Sequence, residues 1–140
     1  NNIPGAATDF TTFDACVANA AVQNGDTVYM EGSPTAYTNG SNINKRLVFI
    51  GTGYFLSGSG ANLGLQANTE AAFFNSSLRF DSLASGSRFL GLDIRNDLWL
   101  DPRADNIRFE RCRFGNISWN TTAASTSNRA QNIVFNKCYF

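Results

Sequence analysis

The sequence predicts an all-β fold, a parallel β-helix (solenoid) with an N-terminal capping α-helix, and three observations carry it. Asn106-Ile-Arg-Phe-Glu-Arg-Cys-Arg-Phe114 and Asn132-Ile-Val-Phe-Asn-Lys-Cys-Tyr-Phe140 share the pattern N-I-x-F-x-x-C-x-F. A looser copy lies upstream, where Ser87, Phe89, Leu92 and Ile94 fall at the places of Ile107, Phe109, Cys112 and Phe114. Self-similarity at a period of roughly 20–26 residues is the signature of one lap of chain stacked on the last. Near the start, one stretch has helical rather than strand periodicity.

That stretch is residues 9–25. Phe10, Phe13, Cys16, Val17, Ala20 and Ala21 recur at helical spacing on one face. Thr11 with Asp14 three residues on resembles a capping box, and Gly25 supplies a stop. A helix ahead of stacked strands has a physical use, because the first lap otherwise exposes the solenoid core. The period then changes. Thr27-Val-Tyr-Met-Glu31 reads as a strand, followed by Leu47–Ile50, Leu78–Phe80, Phe89–Ile94 and the two clear repeats. Each repeat has apolar residues alternating on two strands, with a two-residue break that turns the chain at a corner. Like residues on successive laps should form interior columns: Phe89/Phe109/Phe135, Leu92/Cys112/Cys138 and Ile94/Phe114/Phe140. Asn106 and Asn132 precede their strands at matching positions; asparagine tolerates left-handed backbone and can hydrogen-bond to its copy one lap away. Lateral loops are expected at Ser33–Asn44, Ser57–Asn68, Asn96–Asp105 and Gly115–Gln131, the last with room for further strands.

At 140 residues the chain forms one domain with a sizeable core. It carries 11 basic and 11 acidic residues with no basic run, which argues against nucleic acid and anionic membrane as partners. No apolar stretch approaches the ~18 residues of a membrane span. The low charge and abundant Gly, Asn, Ser and Thr fit a secreted or cell-surface protein. The chain starts at Asn1 rather than Met, which implies removal of a signal peptide or a fragment. It ends on the last residue of a repeat, so the final coil is expected to continue or to pack on another chain. Cys112 and Cys138 share a repeat position, close enough for a disulfide, although stacked inward cysteines more often form a reduced apolar column. No C-x-x-C is present to hold zinc.

The run F-x-x-F-x-A-C-x-x-A-x-x-x-x-G-D-T-V-Y-M-x-G at Phe10–Gly32 resembles the start of right-handed parallel β-helix proteins of the pectate-lyase-like superfamily. So do Lys45-Arg-Leu-Val-Phe-Ile-Gly-Thr-Gly53 and Leu90-Gly-Leu-Asp-Ile94. The resemblance covers most of the chain and implies right-handed coils. It specifies architecture more than chemistry, because this architecture serves enzymes, adhesins and stalks alike.

The chain has no histidine, which excludes Ser-His-Asp and Cys-His machinery. It also departs from polygalacturonase-type relatives, whose sites include a histidine and paired aspartates. Asp93, Arg95, Asp97, Asp101, Arg103 and Asp105 form the densest charged cluster. Such charges commonly belong to a solvated loop. Asp93, Asp97 and Asp101 are also the residues that would offer oxygens to Ca²⁺, the cofactor that the resemblance to calcium-dependent pectate lyases implies. A second stripe, Arg108, Glu110, Arg111 and Arg113 beside Asn136 and Lys137, reads as a solvated face or as an arginine-lined groove for an acidic polysaccharide. Trp99 and Trp119 are candidate sugar-stacking residues, with a core-covering role as the alternative. Gly51-Thr-Gly53 follows a strand as a phosphate loop would, but Leu56 occupies the third glycine position and no helix pattern follows. No catalytic residue is assigned. The expected function is therefore a secreted bacterial surface or structural module, an adhesin type without catalysis, touching polysaccharide or cell-envelope components. The alternative is the N-terminal part of a polysaccharide lyase or glycoside hydrolase with catalytic coils beyond residue 140.

Overall fold

The computed structural model describes residues 10–40, 42–53, 70–119 and 130–140. They form a parallel β-solenoid of about four turns. One wall is a five-stranded parallel sheet, β1 (Thr27–Tyr29), β2 (Val48–Ile50), β5 (Arg88–Leu90), β7 (Arg108–Glu110) and β9 (Val134–Asn136), in that spatial order. Between β2 and β5 the chain passes through β3 (Phe73–Phe74) and β4 (Leu78–Phe80). Both pair in parallel with the long β6 (Asp93–Leu100), β3 along its first half and β4 along its second. On its other edge β6 pairs with β8 (Arg113–Trp119). Each lap therefore runs along the first wall, turns a corner and follows a second wall that bends midway.

The bend has a local cause. Ile94 is opposite Phe114 and Asp97 is opposite Asn116, so Arg95 and Asn96 of β6 face the single residue Gly115. One extra residue in a ladder kinks the strand. A side chain at residue 115 would run into the Arg95 carbonyl, so the kink requires glycine there.

The interior is a set of columns. The phenylalanine column is longer than expected: Phe49, Phe89, Phe109 and Phe135 stack with centroid separations of 4.9, 5.0 and 5.2 Å. These values approach the ~4.8 Å between hydrogen-bonded strands. Phe114 and Phe140 stack at 5.5 Å, and Ile94 pairs with both Phe74 and Phe114. The serine of the loose repeat is buried at the place of Ile107. It survives there because its Oγ accepts from Leu47 N (3.0 Å) and donates to the Lys45 carbonyl (3.3 Å). Cys112 and Cys138 are free thiols, and each donates to the phenylalanine carbonyl one lap back, Phe89 and Phe109 respectively. Burial pushes the Cys112 thiol up to about 12. Asn106 and Asn132 both take positive φ, 57° and 56°, and Asn132 Nδ2 donates to Asn106 Oδ1 at 3.1 Å, as the repeat pattern anticipates.

Two expectations need correction. The helix, α1, spans only Phe13–Ala18, not 9–25; residue 9 lies outside the described residues. Thr12 rather than Thr11 caps it, accepting from Ala15 N at 3.2 Å. It ends early because Asn19 Oδ1 takes the Ala21 N–H (2.8 Å) and Asp26 Oδ2 takes that of Gln23 (2.8 Å). Side chains that capture nearby backbone donors compete with helix. Its apolar face still does the expected job: Phe13 meets Phe49 and Phe74 at 5.3 and 5.0 Å. The segments expected as loops from Asn96 and Gly115 continue as strand to Leu100 and Trp119, with Leu98 and Leu100 buried. The expected loop at 57–68 lies outside the described residues. Among the described residues no helix is long and apolar enough to cross a membrane.

Candidate functional site: a basic outer face around a corner groove

Inward residues repeat, so the laps differ on the outside. At the corner between the walls, successive laps place Gly51, Gly91, Arg111 and Lys137 one above another. The ladder runs through this corner: Gly51 N donates to Leu90 O (2.8 Å), Gly91 N to Glu110 O (3.0 Å) and Arg111 N to Asn136 O (2.9 Å). Gly91, Arg111 and Lys137 share a left-handed bend, with φ of 64°, 50° and 53°. At residue 51 the packing itself demands glycine. A Cβ there would lie 2.5 Å from Leu92 Cδ2 and 2.6 Å from the Gly91 carbonyl oxygen. The result is a groove of about 460 Å³. Its floor is Gly51, Gly53, Leu90 and Gly91, and Glu110, Arg111, Asn136 and Lys137 stand along its other side.

Arginines flank the groove on both walls. On the first, Glu110 Oε1 receives Arg88 Nη2 at 3.1 Å and Arg108 Nε at 2.5 Å. The Arg88 hydrogen bond is the largest influence on the Glu110 carboxyl; burial opposes it, and with the added charge and hydrogen bond of Arg108 the carboxyl is held below its ordinary range. On the second wall, Asp93 is 1% exposed and takes three charge-assisted bonds. Arg113 Nε reaches Oδ1 at 2.8 Å, Arg113 Nη2 reaches Oδ2 at 2.6 Å, and Arg95 Nε reaches Oδ2 at 2.8 Å. Arg95 also lies over the Phe73 ring, 3.8 Å from its centroid. Asp93 points away from the core, yet two guanidinium groups and Phe73 hide it from water.

The stripe of Arg108, Glu110, Arg111 and Arg113 is thus brought together on one lap, with Lys137 of the next. Arg88 and Arg95, from the preceding lap, extend it. The calcium candidates are dispersed. Asp93 has both oxygens occupied by arginine, Asp97 accepts from Asn116 Nδ2 at 2.6 Å, and Asp101 opens the turn after β6, its carbonyl accepting from Ala104 N. Among the described residues no three acidic, Cys or His groups gather as a metal site.

Trp99 stands on β6 rather than in a loop. It is half-buried, with Arg79 of the previous lap 5.3 Å from its ring centroid and Ser118 opposite it on the next lap. The side chain of Trp119 lies outside the described residues.

No protein-family model, no curated protein and no solved structure matches this chain. The parallel solenoid is therefore known from its own registers. The groove was beyond sequence reading, because Gly51 and Gly91 become neighbours only through the pairing of β2 with β5, whose partners stand 40 positions apart in the chain.

Proposed function

We propose that this chain is a right-handed β-helix module of a secreted bacterial surface protein, akin to the pectate-lyase-like superfamily, that binds acidic polysaccharide without turning it over. One observation carries the proposal. Arg88, Arg95, Arg108, Arg111, Arg113 and Lys137 gather on the outer face around the corner, where Glu110 and Asp93 are each shared by two of the arginines. In these pairs four arginines share two carboxylates, so positive charge exceeds negative there on a chain of net charge zero. Such a concentration attracts polyanions, and guanidinium suits carboxylate and sulfate. The absence of turnover rests on the same geometry. Glu110 and Asp93 are each held by two arginines, so neither is free to move a proton, and the chain has no histidine.

The test is binding of the purified chain to immobilised polyuronate, sulfated polysaccharide and neutral dextran at about 50 mM salt, where screening reaches roughly 14 Å. Retention on at least one anionic polymer, weakening as salt rises, with no unsaturated product absorbing in the ultraviolet, is expected. Equal retention on dextran, or none on either polyanion, would overturn the proposal.

A further inference from the structure

We infer that Arg111, with Lys137 beside it, is the specificity-determining contact of this face, and that it takes an oxyanion, carboxylate or sulfate, borne on a polyhydroxylated ligand lying in the corner groove. This rests on the glycan-binding function proposed above and goes further by naming the atoms. Three observations bear on it.

The first is commitment. Arg88 and Arg108 are tied to Glu110, and Arg95 and Arg113 to Asp93. Their charge sets the field, but their donors are largely used. Arg111 is exposed and has no carboxylate partner among the described residues. Of Arg108, Arg111 and Arg113, its planar fork is the one left to meet an external oxyanion edge-on. The nearest carboxylate, Glu110, is neutralised by two arginines and does not oppose an incoming anion.

The second is backbone conformation. Arg111 and Lys137 hold φ of 50° and 53°, a region in which β-carbon contacts disfavour any residue but glycine, with Asn and Asp the usual exceptions. The fold does not demand a side chain there, because the preceding lap makes the same bend with Gly91. Long cations at two successive disfavoured positions point to a use for their charge.

The third is access. Gly51 and Gly91 leave the floor without side chains, and Gly91 could not gain one without approaching the Gly51 carbonyl to 3.1 Å. A ring with hydroxyl groups can lie against exposed backbone and the Asn136 amide while its anionic substituent reaches Arg111 and Lys137 one lap apart.

The glycine of the preceding lap supplies an unusual test. In the full chain, Arg111→Gly and the double variant Arg111→Gly/Lys137→Gly should melt at or above the wild-type temperature, because glycine relieves the left-handed bend. Affinity for the polyanion should nonetheless fall at least tenfold in the double variant, the scale of one lost charge-assisted hydrogen bond. Arg111→Gln, which keeps the length and loses the charge, should weaken binding in the same direction, while Lys45→Gln at the start of the solenoid should not. Running polyuronate and sulfated polymer side by side tells which oxyanion is taken. If wild type binds neither, glycan binding itself fails. If wild type binds and the folded glycine and glutamine variants bind equally well, glycan binding survives and the assignment to Arg111 is wrong.

Discussion

Phe109→Ala is the sharpest probe of the stacked interior. Phe109 is fully buried, sandwiched between Phe89 at 5.0 Å and Phe135 at 5.2 Å, with the edge of Phe114 at 5.2 Å. The two stacks belong to different laps, so truncation leaves a void that neither neighbour can fill without leaving its strand register. Removing such a ring costs about 3–5 kcal/mol, cavity included. That is a large share of the ~5–15 kcal/mol that holds an ordinary domain together. In a chain of this size it corresponds to a fall of roughly 10–20 °C in melting temperature. Phe140→Ala is the control. That ring is 67% exposed and stacks on one face only, so its loss should stay below about 1.5 kcal/mol. Urea unfolding followed by far-ultraviolet circular dichroism measures both. Similar losses for the two variants, or less than about 1 kcal/mol for Phe109→Ala, would refute columns of like residues as the source of stability.

Two further outcomes follow from buried polar chemistry. Asp93→Asn keeps the shape and removes the charge that three arginine N–H groups share, so it should cost about 1–3 kcal/mol in urea unfolding; a buried cluster is poorly screened, and 0.5 M NaCl should change that loss little. Cys112 titrates near 12 when folded and near its ordinary value when unfolded, so the folded state holds its proton longer. The stability tied to it is complete below about pH 9 and drains away between there and pH 12; melting temperature against pH should therefore fall less steeply above pH 9 in Cys112→Ala than in wild type.

How much of this was legible beforehand depended on side-chain redundancy. The two N-I-x-F-x-x-C-x-F segments exposed the columns, and even the Asn106–Asn132 contact could be anticipated, because a parallel solenoid turns sequence identity into spatial adjacency. The same rule explains the failures. Phe49 joins the phenylalanine column, but a 40-residue excursion separates it from Phe89, and no periodicity spans that gap. Leu98 and Leu100 do alternate, yet Asn96-Asp97 ahead of them has turn chemistry, which in fact serves a bulge rather than a loop. Helix α1 stops at Ala18 because Asn19 and Asp26 bond to nearby N–H groups, an effect that a count of apolar spacings does not register. Asp93 was expected on a solvated surface. Its burial comes from Arg95 and from Arg113, 20 residues away.

The division between repeating interior and varying exterior also says where function has to be sought. Face-to-face stacking inside favours like rings on successive laps, as with Phe89, Phe109 and Phe135. A corner on the outside has no such neighbour to satisfy. There the four laps place Gly51, Gly91, Arg111 and Lys137, two residues that packing or conformation favours and two that conformation disfavours. Were the corner shaped by folding alone, glycine would serve at all four positions at lower free energy, by about 1 kcal/mol for each left-handed residue. The change from glycine to cation begins on the lap whose flanking walls carry Arg108 and Arg113, next to Arg88 and Arg95 of the lap before. Conformational strain and charge excess are independent quantities, and their coincidence at one corner is what makes that groove, rather than the dispersed aspartates or Trp99, the place to look for a ligand.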